Sequence, residues 1–127
     1  MTTLPLSVGV DLVEIPRIRR ALERWGDRFL QRVYTPAEIA RCRGRVPELA
    51  VRFAAKEAVV KAYGTGFTQG MTFHDIVVSH DAAGKPLLLL SGRALELQHE
   101  MGIGEKFISI SDEQEYAVAF VTLLKVV

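Results

Sequence analysis

The spacing of apolar residues changes character several times along the chain. Leu6 to Leu12 is a short, mostly apolar run with a carboxylate near its end, which reads as a buried strand delivering Asp11 to a sheet edge. Pro16 suits the first turn of a following helix. In that helix Ile15, Ile18, Leu22 and Trp25 share one face, while Arg17, Arg20 and Arg24 share the opposite one. Thr35-Pro36-Ala37-Glu38 has the form of a capping box with proline at the first helical position, so a short helix starts there. Arg41–Arg45, with Gly44 and Pro47, reads as a basic loop. The longest helix follows, from about Glu48 to Tyr63, and Gly64 closes it.

After Gly64 the pattern turns to strands. Phe73–His80 centres on Ile76-Val77-Val78, Asp81–Lys85 turns, and Pro86–Leu90 runs apolar, which together read as a hairpin. Ser91 can cap a helix through Met101 that Gly102 ends. Phe107–Ser111 and Tyr116–Leu124 are two further strands about a turn at Asp112–Glu115. This order predicts an α+β domain with a mostly antiparallel sheet packed against the long helix. At 127 residues the chain is the size of one domain, spanning 1–127, with no repeat, linker or low-complexity segment.

Composition adds less than the distribution of charge. A hydrophobic fraction of 49% argues against disorder, and a net charge of +1 selects no class of partner. Residues 1–63, however, carry twelve Lys/Arg against seven Asp/Glu, and ten of those cations are arginines. Arginine forks match phosphate and carboxylate oxygens, so an anionic partner is expected on this half. The lone Cys42 cannot form an internal disulfide, no apolar run is long enough for a bilayer, and Asp11 interrupts the opening stretch too early for a signal peptide. A cytoplasmic location is expected.

The long helix carries the candidate chemistry. Val51, Ala54, Ala55, Ala58, Val59 and Ala62 form an apolar stripe whose small side chains allow close approach to a sheet. The other arc holds Arg52, Lys56, Glu57 and Lys61, with Phe53 and Val60 between them. The plain reading of that arc is a solvated face with a Glu57–Lys61 pair at i, i+4. The alternative is a site, with carboxylates for a hard cation and cations for phosphates; Asp11, at the end of its strand, reads equally as a ligand-binding carboxylate and as a cap for the next helix. Magnesium needs only one or two protein carboxylates beside substrate phosphate oxygens and water. Gly64-Thr65-Gly66 is a weak phosphate loop on its own, since a helix C-terminus repels anions, and Lys61 or Arg52 would have to assist. His74, His80 and His99 share no face, and Ser111-Asp112 has no histidine nearby to make a nucleophilic triad. The basic surroundings of Cys42 could lower its thiol pKa, but a lone cysteine is usually incidental.

Val8-Gly9-Val10-Asp11-Leu12-Val13-Glu14-Ile15, Arg52-Phe53-Ala54-Ala55-Lys56-Glu57-Ala58, Lys61-Ala62 and Gly64-Thr65-Gly66 closely resemble the holo-[acyl-carrier-protein] synthase family, the small phosphopantetheinyl transferases. The resemblance continues through Asp75-Ile76, Gly84-Lys85-Pro86, Ser109-Ile110-Ser111 and Tyr116-Ala117, over essentially the whole chain. It implies a magnesium-dependent enzyme that moves 4′-phosphopantetheine from coenzyme A to a serine of apo acyl carrier protein, releasing adenosine 3′,5′-bisphosphate, in fatty-acid or polyketide synthesis. By the same resemblance Asp11 and Glu57 are metal ligands and Lys61 lies near the diphosphate, the three forming the catalytic group. Arg52, Gly64, Thr65, Gly66, Lys85 and Pro86 belong to the coenzyme A site. Arg17, Arg20, Arg24 and Arg28 form the docking stripe for an acidic carrier, and the sites lie between subunits of a homotrimer.

Two positions depart from the family pattern. Ser109-Ile110-Ser111-Asp112 carries aspartate where members commonly have histidine, and Val13 stands where two-domain relatives have a third carboxylate ligand. The general base stays open among Glu57, a metal-bound water and no dedicated group. Asp112 alone favours a rival reading, a non-catalytic relative that binds carrier protein or coenzyme A. A nucleic-acid-binding module using the arginine stripe is the other rival, and the acidic second half counts against it.

Overall fold

The computed structural model describes residues 5–126. Its elements are β1 (Leu6–Glu14), α1 (Ile15–Trp25), α2 (Asp27–Val33), α3 (Pro36–Cys42), α4 (Val46–Tyr63), a 3₁₀ turn at Phe73–Asp75, β2 (Ile76–His80), β3 (Pro86–Leu90), α5 (Gly92–Glu100), β4 (Ile103–Asp112) and β5 (Tyr116–Lys125). The local signals behave as their chemistry requires. Thr35 Oγ1 accepts from the Glu38 N–H while Glu38 Oε1 accepts from the Thr35 N–H, so both halves of the capping box form. Pro16 and Pro47 occupy the first turns of α1 and α4. Gly64, at φ 78°, ends α4, where the N–H groups of Gly64 and Thr65 both reach the Val60 carbonyl. α4 begins two residues earlier than its pattern suggested, and α2 had no sequence counterpart.

Five strands form two antiparallel sheets: β1-β5-β4 and the hairpin β2-β3. The α+β architecture is therefore as expected, with α4 lying across the larger sheet. In register, Gly9 faces Val121, Asp11 faces Ala119 and Val13 faces Ala117. On β4, Ile108 and Ile110 face Val121 and Ala119 in turn. These positions look inward, and Gly9, Val13, Ala117, Ala119, Val121 and Ile108 are buried. Asp11 is thus carried on the inner face of an edge strand.

Two sequence readings are corrected here. β1 is not buried on both faces: Val8, Val10 and Leu12 are 52%, 51% and 62% exposed, and Phe107 and Phe120 join them on the outer face of the sheet. The charged arc of α4 is solvated only in part, with Lys61 exposed and Glu57 half-buried. Arg52, Phe53, Lys56 and Val60 are buried with the alanine stripe, because α1, α3 and the β2-β3 hairpin cover the side of α4 that the sheet leaves free.

Burying Lys56 requires partners. Its ammonium donates to Glu38 Oε1 at 2.8 Å and to the carbonyls of Phe73 and Ile76, while Glu38 Oε2 accepts the Val78 N–H. Burial lowers the Lys56 pKa and the adjoining Glu38 carboxylate opposes that. This pair joins α3, α4 and β2 at one point in the interior.

Candidate functional site

The first contribution to the site is an omission of side chain. A Cβ on Gly9 would lie 2.0 Å from the Ala58 carbonyl oxygen and 2.7 Å from the Ala62 nitrogen, so β1 rests directly on the backbone of α4. That approach brings Asp11, two residues on, beside the arc of α4 that carries Glu57 and Lys61. The Lys61 ammonium donates to Asp11 Oδ1 at 2.8 Å and to the Val10 carbonyl at 3.2 Å. The Asp11 side chain is 14% exposed and that of Lys61 52%, so the pair stands at the mouth of the site. Glu57 is half-buried. Its carboxyl is held above the ordinary carboxylate range, first by burial and then by the negative charge of Asp11; Lys61 and Arg17 pull the other way.

A half-buried carboxyl pushed up beside a second carboxylate, with an ammonium seated on that second one, forms a site that gains from a cation. Among the described residues no set of three or more His, Cys, Asp or Glu converges. The donor set is thus two carboxylates. It fits a hard divalent ion that retains several waters, and does not fit a closed structural metal site.

Gly64-Thr65-Gly66 continues from the same end of α4, one turn beyond Lys61. Gly64 and Gly66 both have positive φ, Thr65 Oγ1 donates to the Gly66 carbonyl, and Thr68 Oγ1 donates to that of Thr65. Arg17, on α1, places its guanidinium 5.6 Å above the Phe53 ring, so the cation that bears on Glu57 also begins the exposed arginine stripe. Phe53 stacks on Phe73, and Phe73 packs against Phe67 in the loop after α4. Arg24 and Arg28 flank the Trp25 ring at 5.0 and 5.7 Å, and Arg17, Arg20, Arg24 and Arg28 are all exposed. Trp25, expected on the inward face of α1, is 48% exposed and lines a groove of about 370 Å³ with Ala21, Arg28, Phe29 and Arg32.

Other expected site residues lie elsewhere. Arg52 is fully buried; it donates to the backbone carbonyl and to Oε2 of Glu48, each at 3.0 Å, and its Nε and Nη2 have no protein partner. Its charge bears on Cys42, Tyr34 and His80 rather than on Asp11 or Glu57. Within one chain, therefore, Arg52 does not join Lys61. Pro86 pairs with His80 across the hairpin, so Lys85-Pro86 lies on the Arg52 side of α4. Asp112 faces Ala117 on β5, two strands from β1 and two register positions from Asp11, which puts roughly 12 Å between them. It lines a groove with Leu12, Tyr116 and Val118 on the outer side of the sheet. Cys42 departs from expectation as well: it is buried, and burial pushes its thiol pKa up despite the nearby arginines.

The sequence reading passed over the Glu38–Lys56 pair and the close approach at Gly9. For Gly9 a signal existed, a glycine interior to a strand; for Glu38 the capping box accounted for the side chain and concealed its second role.

Residues 7–121 match the model of the 4′-phosphopantetheinyl transferase superfamily. The holo-[acyl-carrier-protein] synthase of Koribacter versatilis is 45% identical over 121 residues, 93% of this chain and 97% of the relative, and that of Vibrio parahaemolyticus is 50% identical over 123 residues, 93% and 96%. Among solved structures, the Neisseria meningitidis holo-[acyl-carrier-protein] synthase superposes with a TM-score of 0.85 at 41% identity, covering 94% of this chain and 98% of that one. The Helicobacter pylori holo-[acyl-carrier-protein] synthase in complex with coenzyme A gives 0.84 at 34% identity, covering 91% and 98%.

Proposed function

The chain belongs to the 4′-phosphopantetheinyl transferase superfamily and is a transferase; from that premise we propose that it acts as a holo-[acyl-carrier-protein] synthase. It moves the 4′-phosphopantetheine arm of coenzyme A onto a serine hydroxyl of apo acyl carrier protein and releases adenosine 3′,5′-bisphosphate. The observation that carries this reading is the convergence of Asp11, Glu57 and Lys61 where β1 rests on α4.

Asp11 and Glu57 would hold magnesium, which when bound neutralises charge on the diphosphate and polarises the attacked phosphorus. Lys61 leaves Asp11 to donate to a diphosphate oxygen, a short movement for an ammonium already at the mouth of the site. The Gly64–Gly66 backbone admits the coenzyme closely because neither glycine presents a Cβ, and Lys61 offsets the unfavourable field of the helix C-terminus. Lys85 and Pro86, on the far side of α4, extend the site toward the nucleotide end of coenzyme A. The arginines at 17, 20, 24 and 28 face an acidic carrier, with Arg17 closest to the reacting group.

We further propose that the outer face of the larger sheet, with Val8, Val10, Leu12, Phe107 and Phe120 exposed, is covered by copies of the same chain in a homotrimer. That assembly would carry Asp112 and its groove toward a neighbour's site. The carrier of fatty-acid synthesis and the cytoplasm are the expected setting; a single buried, free cysteine accords with a reducing compartment. Among the described residues, no helix is long and apolar enough to cross a membrane.

The test is mass spectrometry of apo acyl carrier protein incubated with this protein, coenzyme A and magnesium. A gain of one phosphopantetheine group, abolished by EDTA and by Asp11→Ala, is the expected result. A carrier that stays unmodified while still binding would instead identify a non-catalytic relative.

A further inference from the structure

Four of the seven residues from Gly64 to Gly70 have left-handed backbone: Gly64, Gly66, Gln69 and Gly70. Glycine tolerates this, whereas Gln69, at φ 58°, does so at a cost of about 1 kcal/mol or more. Such a segment keeps one shape only if something outside it fixes that shape, and the first turn of α5 supplies three ties. Tyr63, at the loop's entry, donates its hydroxyl to the Ala94 carbonyl at 2.7 Å. At the apex, Arg93 Nε donates to the Gln69 carbonyl at 3.0 Å. Toward the exit, the Ser91 N–H donates to the Asp75 carbonyl at 2.9 Å.

The middle tie has its own support. Arg93 Nη1 donates to Glu96 Oε1 at 3.1 Å and to Glu100 Oε1 at 3.0 Å, so two carboxylates on α5 aim the guanidinium at the loop. Gly70 lies against the same side chain: a Cβ there would meet Arg93 Cγ at 3.8 Å, an ordinary contact, and it is the φ of 85° that favours glycine. Entry and exit are held by buried or backbone groups; at the apex Arg93 adds the side-chain hydrogen bond to Gln69, beside the Met71 N–H to Thr68 carbonyl turn and the packing of Phe67 on Phe73.

We propose that Arg93 is a positioning residue for the coenzyme A site: through the Gln69 carbonyl it fixes the loop whose Gly64–Gly66 segment receives the coenzyme. It does not touch the ligand. The proposal rests on the reading of Gly64–Gly66 as part of that site.

The experiment compares Arg93→Ala and Arg93→Lys with the parent by amide hydrogen exchange, by thermal unfolding and by steady-state transfer with each substrate varied. In Arg93→Ala, exchange at residues 66–70 accelerates and the unfolding midpoint stays within about 3 °C. The KM for coenzyme A rises about tenfold, the scale of losing one hydrogen bond from a charged group. The KM for apo carrier and kcat hold. Arg93→Lys recovers part of the coenzyme A effect, because an ammonium can reach the carbonyl but lacks the planar fork. Unchanged exchange would overturn the latch itself, and equal rises in both KM values would reduce Arg93 to a general structural role. Faster exchange with unaltered KM for coenzyme A would also overturn the proposal. Gly66→Ala then locates the fault: if it too leaves that KM unaltered, the reading of Gly64–Gly66 has failed.

Discussion

Glu57 shows most plainly how one residue can oppose stability while serving function. Its folded pKa lies above the ordinary value of 4.5, so the folded protein holds the proton more tightly than the unfolded chain does. The ionised group therefore costs stability at all pH above its folded value, and that cost fades as pH falls from there toward 4.5 and is gone below it. Glu57→Gln, measured in EDTA, should be as stable as the parent or more so at pH 7, with the difference vanishing near pH 4, while phosphopantetheine transfer is lost. Chemical denaturation across that pH range checks the first statement and carrier modification the second. The grouping of Asp11, Glu57 and Lys61 was legible through the family resemblance, which rests on the Val8–Ile15 and Arg52–Ala58 motifs. The fates of Arg52, Lys56 and Cys42 were not: a helical wheel says which residues share an arc, and nothing about whether distant segments will cover it. Lys56 is buried because Glu38, Phe73 and Ile76 meet it there, and none of these is near it in sequence.

Between elements, the separation of the two carboxylates is set where β1 crosses α4. The atoms a Gly9 side chain would meet belong to the helix backbone and cannot turn aside as a rotamer would. Gly9→Ala must therefore lift the strand or bend the helix. It should lower stability by about 3 kcal/mol or more, beyond ordinary overpacking of a core, and separate Asp11 from Glu57 in whatever remains folded. Urea unfolding followed by circular dichroism measures the first effect, and magnesium-dependent transfer the second. The elements themselves were largely readable, from the capping box of α3 to the glycine ending α4 and the β2-β3 hairpin. β1 was misjudged for a definite reason. Its apolar residues at 8, 10 and 12 alternate with Gly9, Asp11 and Val13, and the usual rule sends the larger apolar set inward. Here the inner face has room only for small side chains beside α4, so the larger set points out.

For the whole molecule, that inversion leaves Val10 and Phe120 paired across β1 and β5 on an exposed apolar surface. Phe120→Asp should convert a trimeric species into single chains in sedimentation and lower transfer with it; an unchanged sedimentation coefficient would place the association elsewhere. Assembly of this kind was accessible only through family resemblance, because alternation within one strand does not reveal what its outer face meets. The same pair of strands also bears on how the protein comes into being. Among the described residues β1 has β5 as its sole neighbour in the sheet, and Asp11 sits opposite Ala119. During synthesis the N-terminal segment therefore waits, emerged and unpaired, until β5 clears the ribosome. Asp11 is made early, and its strand gains its sheet partner only at this late moment. A ribosome that stalls before Tyr116 therefore releases a fragment whose apolar β1 lacks β5, the strand it pairs with among the described residues.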